Sequence, residues 1–303
     1  MNQPCEVCDA RHFRRVFSKV GYDFFRCLDC GHVAIQLGIS DADLVRLYET
    51  EFFTNGSYVD YLGDRAILKK NFARFLNRLH VHAVGGRLLD IGCAYGFFLD
   101  LARDRWEVEG VDVAGPPTTF AKEQLRLNVR CGEFMTMPLA ANHYDVVTMW
   151  DTIEHLRHPA AYLAKVSAIL KPNGVLALTT GDVRSLAARI QGKGWRLYDP
   201  PFHIHYFSHR TLSRLLARYG FEVLEITYAG FSRSLNTILH RVFAYQKPPL
   251  LRLVYRAAQQ LRVTRYDVYM NVFDIMLVFA RKTGQRPGLH ASGSAASVPA
   301  QPG

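Results

Sequence analysis

The chain has 303 residues, 49% of them hydrophobic and 21% charged, with 37 Lys and Arg against 27 Asp and Glu for a formal charge of +10. That length can bury a full α/β core plus a small accessory module. No apolar run approaches about 20 residues, which excludes a spanning helix, and Met1-Asn2-Gln3-Pro4-Cys5 lacks the apolar core of a signal peptide, so a cytoplasmic protein is expected.

The first element is built on cysteine. Cys5-x2-Cys8, then eighteen residues, then Cys27-x2-Cys30 is the spacing of a two-knuckle zinc ribbon. Two thiolates two residues apart can grip one ion from a tight turn, and two such turns complete a tetrahedron. Cys5, Cys8, Cys27 and Cys30 are therefore expected to hold structural zinc, with no position left for catalysis. Two disulfides in a secreted domain are the alternative, disfavoured without a signal peptide. Gly31 lets the backbone amides fold back toward sulfur, and His32 beside it reads as a bystander. Residues 1–35 thus form a ribbon with a strand at Phe24-Phe25-Arg26, and 36–63 a connecting segment with a short helix near 41–48. Residues 64–81 read as a helix with Ile67, Leu68, Phe72, Phe75, Leu76 and Leu79 on one face.

The run Leu88-Leu89-Asp90-Ile91-Gly92-Cys93-Ala94-Tyr95-Gly96-Phe97-Phe98-Leu99 follows. An apolar strand ends in an acid, a glycine loop turns, and an apolar helix begins, which is how a parallel strand opens onto a ligand. Glycine at 92 and 96 allows a sharp turn and close approach to a bound molecule. A second acid, Asp112, ends the next strand-like run 22 residues later, a spacing suited to a ribose-binding carboxylate on the neighbouring strand. A dinucleotide fold wants Gly-x-Gly-x-x-Gly facing a pyrophosphate. This loop has Gly-x-x-x-Gly behind an acid, which suits a cation instead.

Asp90 and this loop resemble the first motif of class I S-adenosylmethionine-dependent methyltransferases, and Asp112 resembles their ribose-binding acid; Ala94 stands where glycine is commoner. The resemblance covers about residues 66–283. It places Cys131-Gly132-Glu133-Phe134 at the adenine and Tyr144–Asp151 at the fourth strand and its active-site end. Ile169–Leu178 resembles a helix, a turn at Pro172 and Gly174, and the fifth strand. Implied cofactor contacts are Asp90, Gly92, Cys93, Ala94, Gly96, Asp112, Val113, Glu133, Phe134 and Asp151. The implied fold is α/β, a Rossmann-like seven-stranded sheet over 64–283 with right-handed crossovers, whose last, antiparallel strand is 273–280.

Two clusters bear on catalysis. Asp151-x-x-Glu154-His155 puts three polar groups on one face of a helical turn at the end of the fourth strand. Pro201-Phe202-His203-Ile204-His205-Tyr206-Phe207-Ser208 precedes a helix at 211–219, and, if extended, sends His203 and His205 one way and Tyr206 the other. This segment resembles the His-Tyr-Phe-Ser stretch of bacterial methyltransferases that carry an N-terminal zinc ribbon. The wider family implies two uses: histidine as the base for a hydroxyl or carbon, or Glu-x-x-Glu-His plus a distant histidine around a divalent metal. Asp151 replaces the first of those glutamates with a shorter acid. His155, His203 and His205, with Glu154, are the candidate catalytic residues.

Charge separates the ends of the chain. Residues 1–61 carry 6 basic and 9 acidic side chains, 62–230 carry 21 and 16, and 231–303 carry 10 and 2. An RNA-binding ribbon should be basic, so nucleic acid is the less favoured partner. Within 231–265, a basic helical insertion, seven Arg and Lys occur with no acid, and Leu250, Leu251, Val254, Ala258 and Leu261 recur opposite Arg252 and Arg256. That suits either peripheral contact with the inner face of a membrane or a basic rim over the pocket. Residues 284–303 lack aromatics and read as a disordered tail. The expected activity is methylation of a hydroxyl or carbon on a small or glycosylated acceptor, a nucleotide sugar or polysaccharide precursor. RNA methylation and a catalytically inactive scaffold are the alternatives.

Overall fold

The computed structural model describes residues 3–40, 43, 44, 46, 61–244, 248–261, 263 and 266–283. Most of the expected helix at 41–48 and the tail 284–303 lie outside the described residues. No helix among the described residues is long and apolar enough to cross a membrane.

Strands β1 (Phe13–Lys19), β2 (Tyr22–Cys27) and β3 (Val33–Ile35) form the N-terminal antiparallel sheet. The β1–β2 loop is two residues, Val20 and Gly21, both at positive φ, the tight turn that matches strand twist. Then come α1 (Arg65–His82), β4 (Gly86–Ile91), α2 (Phe97–Ala102), β5 (Trp106–Asp112), α3 (Gly115–Glu123), β6 (Val129–Cys131) and β7 (Tyr144–Met149). A 3-10 turn at Ile153–His155 leads to α4 (Pro159–Ile169), β8 (Leu170–Gly181), α5 (Leu186–Gln191), β9 (His205–Tyr206), α6 (His209–Arg218) and β10 (Phe221–Tyr228). The chain closes with β11 (Phe231–Ser234), α7 (Leu235–Leu239), α8 (Pro249–Gln260), β12 (Asp267–Met270) and β13 (Ile275–Lys282).

Seven strands form the main sheet in the order β10-β13-β8-β7-β4-β5-β6, with β13 antiparallel to both neighbours. From β4 the chain runs outward through β5 and β6, then returns to β7 on the other side. The strand order therefore reverses at β4/β7, and a crevice opens past their carboxyl ends. The central strands are buried on both faces, as their unbroken apolar runs require.

Two expectations are corrected. Pro172 and Gly174 do not separate helix from strand: α4 already ends at Ile169, and β8 starts at Leu170. Register with β7 jumps from Tyr144↔Leu170 to Val146↔Val175, so residues 171–174 bulge out of the strand, with Asn173 at φ 64°. The insertion is not wholly helical: β11 and β12 pair as a separate two-stranded sheet at its base, carrying it to Met270. The N-terminal sheet also reaches beyond the first 35 residues. It has a fourth strand, β9, which pairs with β3 through Val33↔Tyr206 and Ala34↔His205.

Candidate active site

The four ribbon cysteines converge. Cys5 and Cys30 Sγ lie 3.6 Å apart, as do Cys8 and Cys27, and all four sulfurs fall within 4.8 Å of one another. A tetrahedron with Zn–S near 2.3 Å has edges of about 3.8 Å, so the set fits one zinc ion. The His32 amide points at Cys30 Sγ from 3.5 Å, and Gly31 at φ 82° makes that turn. His32 is more than a bystander: its buried ring meets His205, Nε2 to Nδ1, at 3.0 Å.

A cavity of about 670 Å³ lies beyond β4, β5 and β7. Its wall includes Asp90, Gly92, Cys93, Ala94, Asp112, Val113, Glu133, Phe134, Asp151 and His155. Asp112 ends β5 with both carboxylate oxygens held, Oδ2 by the Ala94 amide at 2.8 Å and Oδ1 by the Ala114 amide at 2.9 Å. Burial pushes its pKa up and these amides pull it back. Asp90 is buried and accepts one hydrogen bond, from the Thr148 hydroxyl at 2.6 Å. Desolvation, with Asp112 nearby, lifts it to about 8. An ammonium group beside it would supply the missing countercharge, so the pair of acids fits an amino-acid and ribose ligand such as S-adenosylmethionine.

The glycines act differently from the sequence expectation. Gly96 is not in the cavity wall. It sits at φ 74°, and a Cβ there would lie 2.6 Å from Leu127 Cδ1 and 3.0 Å from Ala121 Cβ. Packing and dihedral require it, not ligand approach. Gly92, at φ 80°, would drive a Cβ to 2.5 Å from the Thr152 hydroxyl. Ala94 stands at φ 44°, in the region glycine prefers. Cys93 is buried, whereas Cys131 is exposed at the end of β6.

The acid–histidine cluster forms around the turn after β7. Asp151 opens onto the cavity at φ 48°, its Oδ1 accepting from Thr179 Oγ1 at 2.7 Å, and desolvation raises it. Glu154 is buried behind it, its Oε2 lacking a hydrogen-bond partner among the described residues, and desolvation plus the Asp151 charge lift it to about 8. His155 lines the cavity, with Nδ1 3.1 Å from the Phe202 carbonyl. A carbonyl accepts, so Nδ1 carries the proton and Nε2 the lone pair. His203 is held in the same sense, its Nδ1 2.8 Å from the Leu197 carbonyl, and its ring stands edge-on to His155 at 4.6 Å. Burial holds both imidazoles below their usual range. Ligand atoms of Glu154, His155 and His203 all lie within 4.8 Å.

His205 does not join them. It lies in β9 with Nδ1 on His32 and Nε2 3.3 Å from the Arg157 carbonyl, away from the cavity wall, and burial lowers it to about 4. Its expected catalytic place is corrected: alternate residues of this segment meet different layers, His203 the active-site turn and His205 the ribbon.

Residues missed by sequence reasoning complete the wall. Asn71 of α1 clamps Ser232 of β11, accepting from its amide at 2.7 Å and donating to its carbonyl at 3.0 Å. Phe75 packs on Trp150 and Phe231. Arg233 lines the cavity, and its positive charge is among those that favour the ionised form of Asp151. A polar Asn in the otherwise apolar face of α1 was the one available signal.

A family model described as a methyltransferase domain matches residues 62–226, more than half of the chain. The protein belongs to the methyltransferase domain family. It is 34% identical over 132 residues to the ubiquinone biosynthesis O-methyltransferase of Cereibacter sphaeroides, covering 41% of this chain and 53% of that one. The chain spans about half the length of the curated relatives it matches. Among solved structures, magnesium protoporphyrin IX methyltransferase from Synechocystis with bound SAH is similar at TM-score 0.52 and 10% identity, over 80% of this chain and all of that one. The cyclase SpnF is similar at TM-score 0.51 and 19% identity, over 71% and 81%. Likeness at this identity concerns the fold, and a cyclase on the same fold shows why function must be argued from the site.

Proposed function

We propose that the protein is an S-adenosylmethionine-dependent methyltransferase that methylates a hydroxyl, or alternatively a carbon, of a small phosphorylated or glycosylated acceptor, with structural zinc in its ribbon. One observation carries this reading: a single cavity joins the Asp90–Asp112 end to Asp151 and His155. When bound, S-adenosylmethionine supplies a methyl group on a sulfonium that needs little acid assistance to leave. The chain's tasks are then to bind, align and remove one proton.

Asp112, held rigid by two amides, offers its remaining lone pairs to ribose hydroxyls, and Asp90 balances an amino group. His155 faces the acceptor side with a lone pair on Nε2 and is neutral at physiological pH, so it takes the acceptor's proton. Glu154, Asp151 and the His203 ring surround the imidazolium that results. His203 positions His155 from behind, and His205 holds the ribbon. Arg233, a cation in the cavity wall, favours an acceptor bearing phosphate, consistent with a nucleotide sugar. The relatives named for ubiquinone O-methylation favour oxygen as the methylated atom.

A second reading has its own observation. Glu154 Oε2 without a partner, beside His155 and His203, is a carboxylate–two-histidine set able to hold a divalent cation. This set keeps the Glu-His pair and the distant histidine of the sequence pattern, as His203, and leaves out Asp151, which is turned toward Thr179. The deciding assay measures SAH formation with nucleotide-sugar and RNA acceptors, with and without chelator. Turnover on a nucleotide sugar that resists chelation supports the base reading, and chelator loss restored by magnesium supports the metal. Tight SAH binding with no turnover on any acceptor leaves a scaffold.

A further inference from the structure

Most of the exposed large apolar side chains among the described residues lie between Val242 and Phe273, although this segment is a small part of the chain. Helix α8 concentrates them. Leu250 is 75% exposed, Val254 47% and Leu261, just past its end, 75%. At about 100° per residue these three fall within a narrow stripe, and Arg252 and Arg256 lie on the opposite side, also exposed. An isolated 12-residue helix is marginal in water, because helices in proteins draw most of their stability from a covered apolar face. Something must cover this one.

The charge of the segment selects what. Residues 231–265 carry seven Arg and Lys and no Asp or Glu. A second copy docking face to face would bring two such segments together, and like charges at close range oppose that. An anionic bilayer attracts the cations and accepts the leucine stripe at the boundary of headgroups and acyl chains.

We infer that α8 and the strand region after it form a membrane-docking surface for an anionic lipid headgroup layer, independent of the methyl-transfer reading. The helix lies in the interface plane with Leu250, Val254 and Leu261 toward the acyl chains. The same insertion supplies Arg233, Ser234 and Thr237 to the cavity wall, so docking sets the active-site cavity beside the bilayer.

The test is co-sedimentation of the full chain with vesicles of phosphatidylcholine alone and with about 30% phosphatidylglycerol. Binding to the anionic vesicles only is expected, falling tenfold or more between about 50 and 300 mM salt as the surface potential is screened. Leu250→Asp/Leu261→Asp should abolish binding while SAH affinity and the circular dichroism spectrum stay unchanged. No binding to anionic vesicles, or equal binding by the double variant, would overturn the inference. So would a micromolar dimer in sedimentation equilibrium that the same variant converts to monomer, because a second copy would then be the cover.

Discussion

Asp90→Asn separates the two states in which this buried acid exists. Without a cation nearby, desolvation lifts Asp90 from the usual 3.8 to about 8. At about 1.4 kcal/mol per tenfold, that is roughly 6 kcal/mol in favour of the neutral form. At pH 7 the ligand-free protein therefore holds a protonated Asp90, and asparagine is a close mimic able to keep the Thr148 hydrogen bond. The sign for stability follows. Between the unfolded value of 3.8 and the folded value of about 8, the folded state binds the extra proton, so its stability falls as pH rises through that window. Each such group contributes a slope of roughly 1 kcal/mol per pH unit, and Glu154, also lifted to about 8, adds its own. Asp90→Asn should leave stability at about pH 3.5 to 4 almost unchanged and make the decline from there toward pH 8 shallower.

Cofactor binding reverses the balance. The ligand's ammonium favours the carboxylate, so wild-type binding should release a proton at pH 7 and tighten as pH rises from 6 to 8. Asparagine cannot form that charge-assisted contact, worth roughly 2–3 kcal/mol, and SAH affinity should fall about 30- to 150-fold with no proton release. Titration calorimetry in two buffers of different ionisation enthalpy reads both quantities at once. Wild-type binding without proton release, together with Asp90→Asn affinity within threefold of it, would refute this role for Asp90.

The other predictions are shorter. Asp112→Ala should weaken SAH binding by roughly 1.5–3 kcal/mol in calorimetry while the protein stays folded. His155→Ala should lower turnover by roughly 10²–10⁴ at nearly constant SAH affinity, whereas His205→Ala should lower the melting temperature and leave turnover within a few-fold. Elemental analysis should return about one zinc per chain, falling toward zero in Cys27→Ser/Cys30→Ser. Ala94→Gly, relieving the left-handed φ of 44°, should raise stability by about 0.5–1 kcal/mol in denaturant titration.

Much of this arrangement is local and therefore readable from the chain. Asp90 and Asp112 end adjacent parallel strands because apolar runs with acids at their ends fold that way, and the Cys-x2-Cys pairs meet because each turn needs only its own four residues. What could not be read depends on contacts distant in sequence. Gly96 looks like a ligand-facing glycine until Leu127 and Ala121 are packed against it. His203 and His205 look equivalent by strand alternation, and only the pairing of Ala34 with His205 sends one to the ribbon and leaves the other at the active site. Arg233 reaches the wall that Asp151 lines on β11, which Asn71 pins to α1.

That same pairing gives the ribbon a mechanical bearing on the site. β3 joins β9, the Ile204 amide donates to the Glu154 carbonyl at 2.8 Å, and the Phe202 carbonyl receives the His155 Nδ1 proton. Glu6 of the first knuckle accepts from His158 at 3.0 Å and from the Ala160 amide at 3.2 Å, at the start of α4. The segment that fixes the tautomer of His155 is thus itself held by a sheet whose far end is four cysteines. On the base reading proposed above, a ribbon whose cysteines take no part in the chemistry would still bear on catalysis, because a base misplaced by about 1 Å loses much of its advantage.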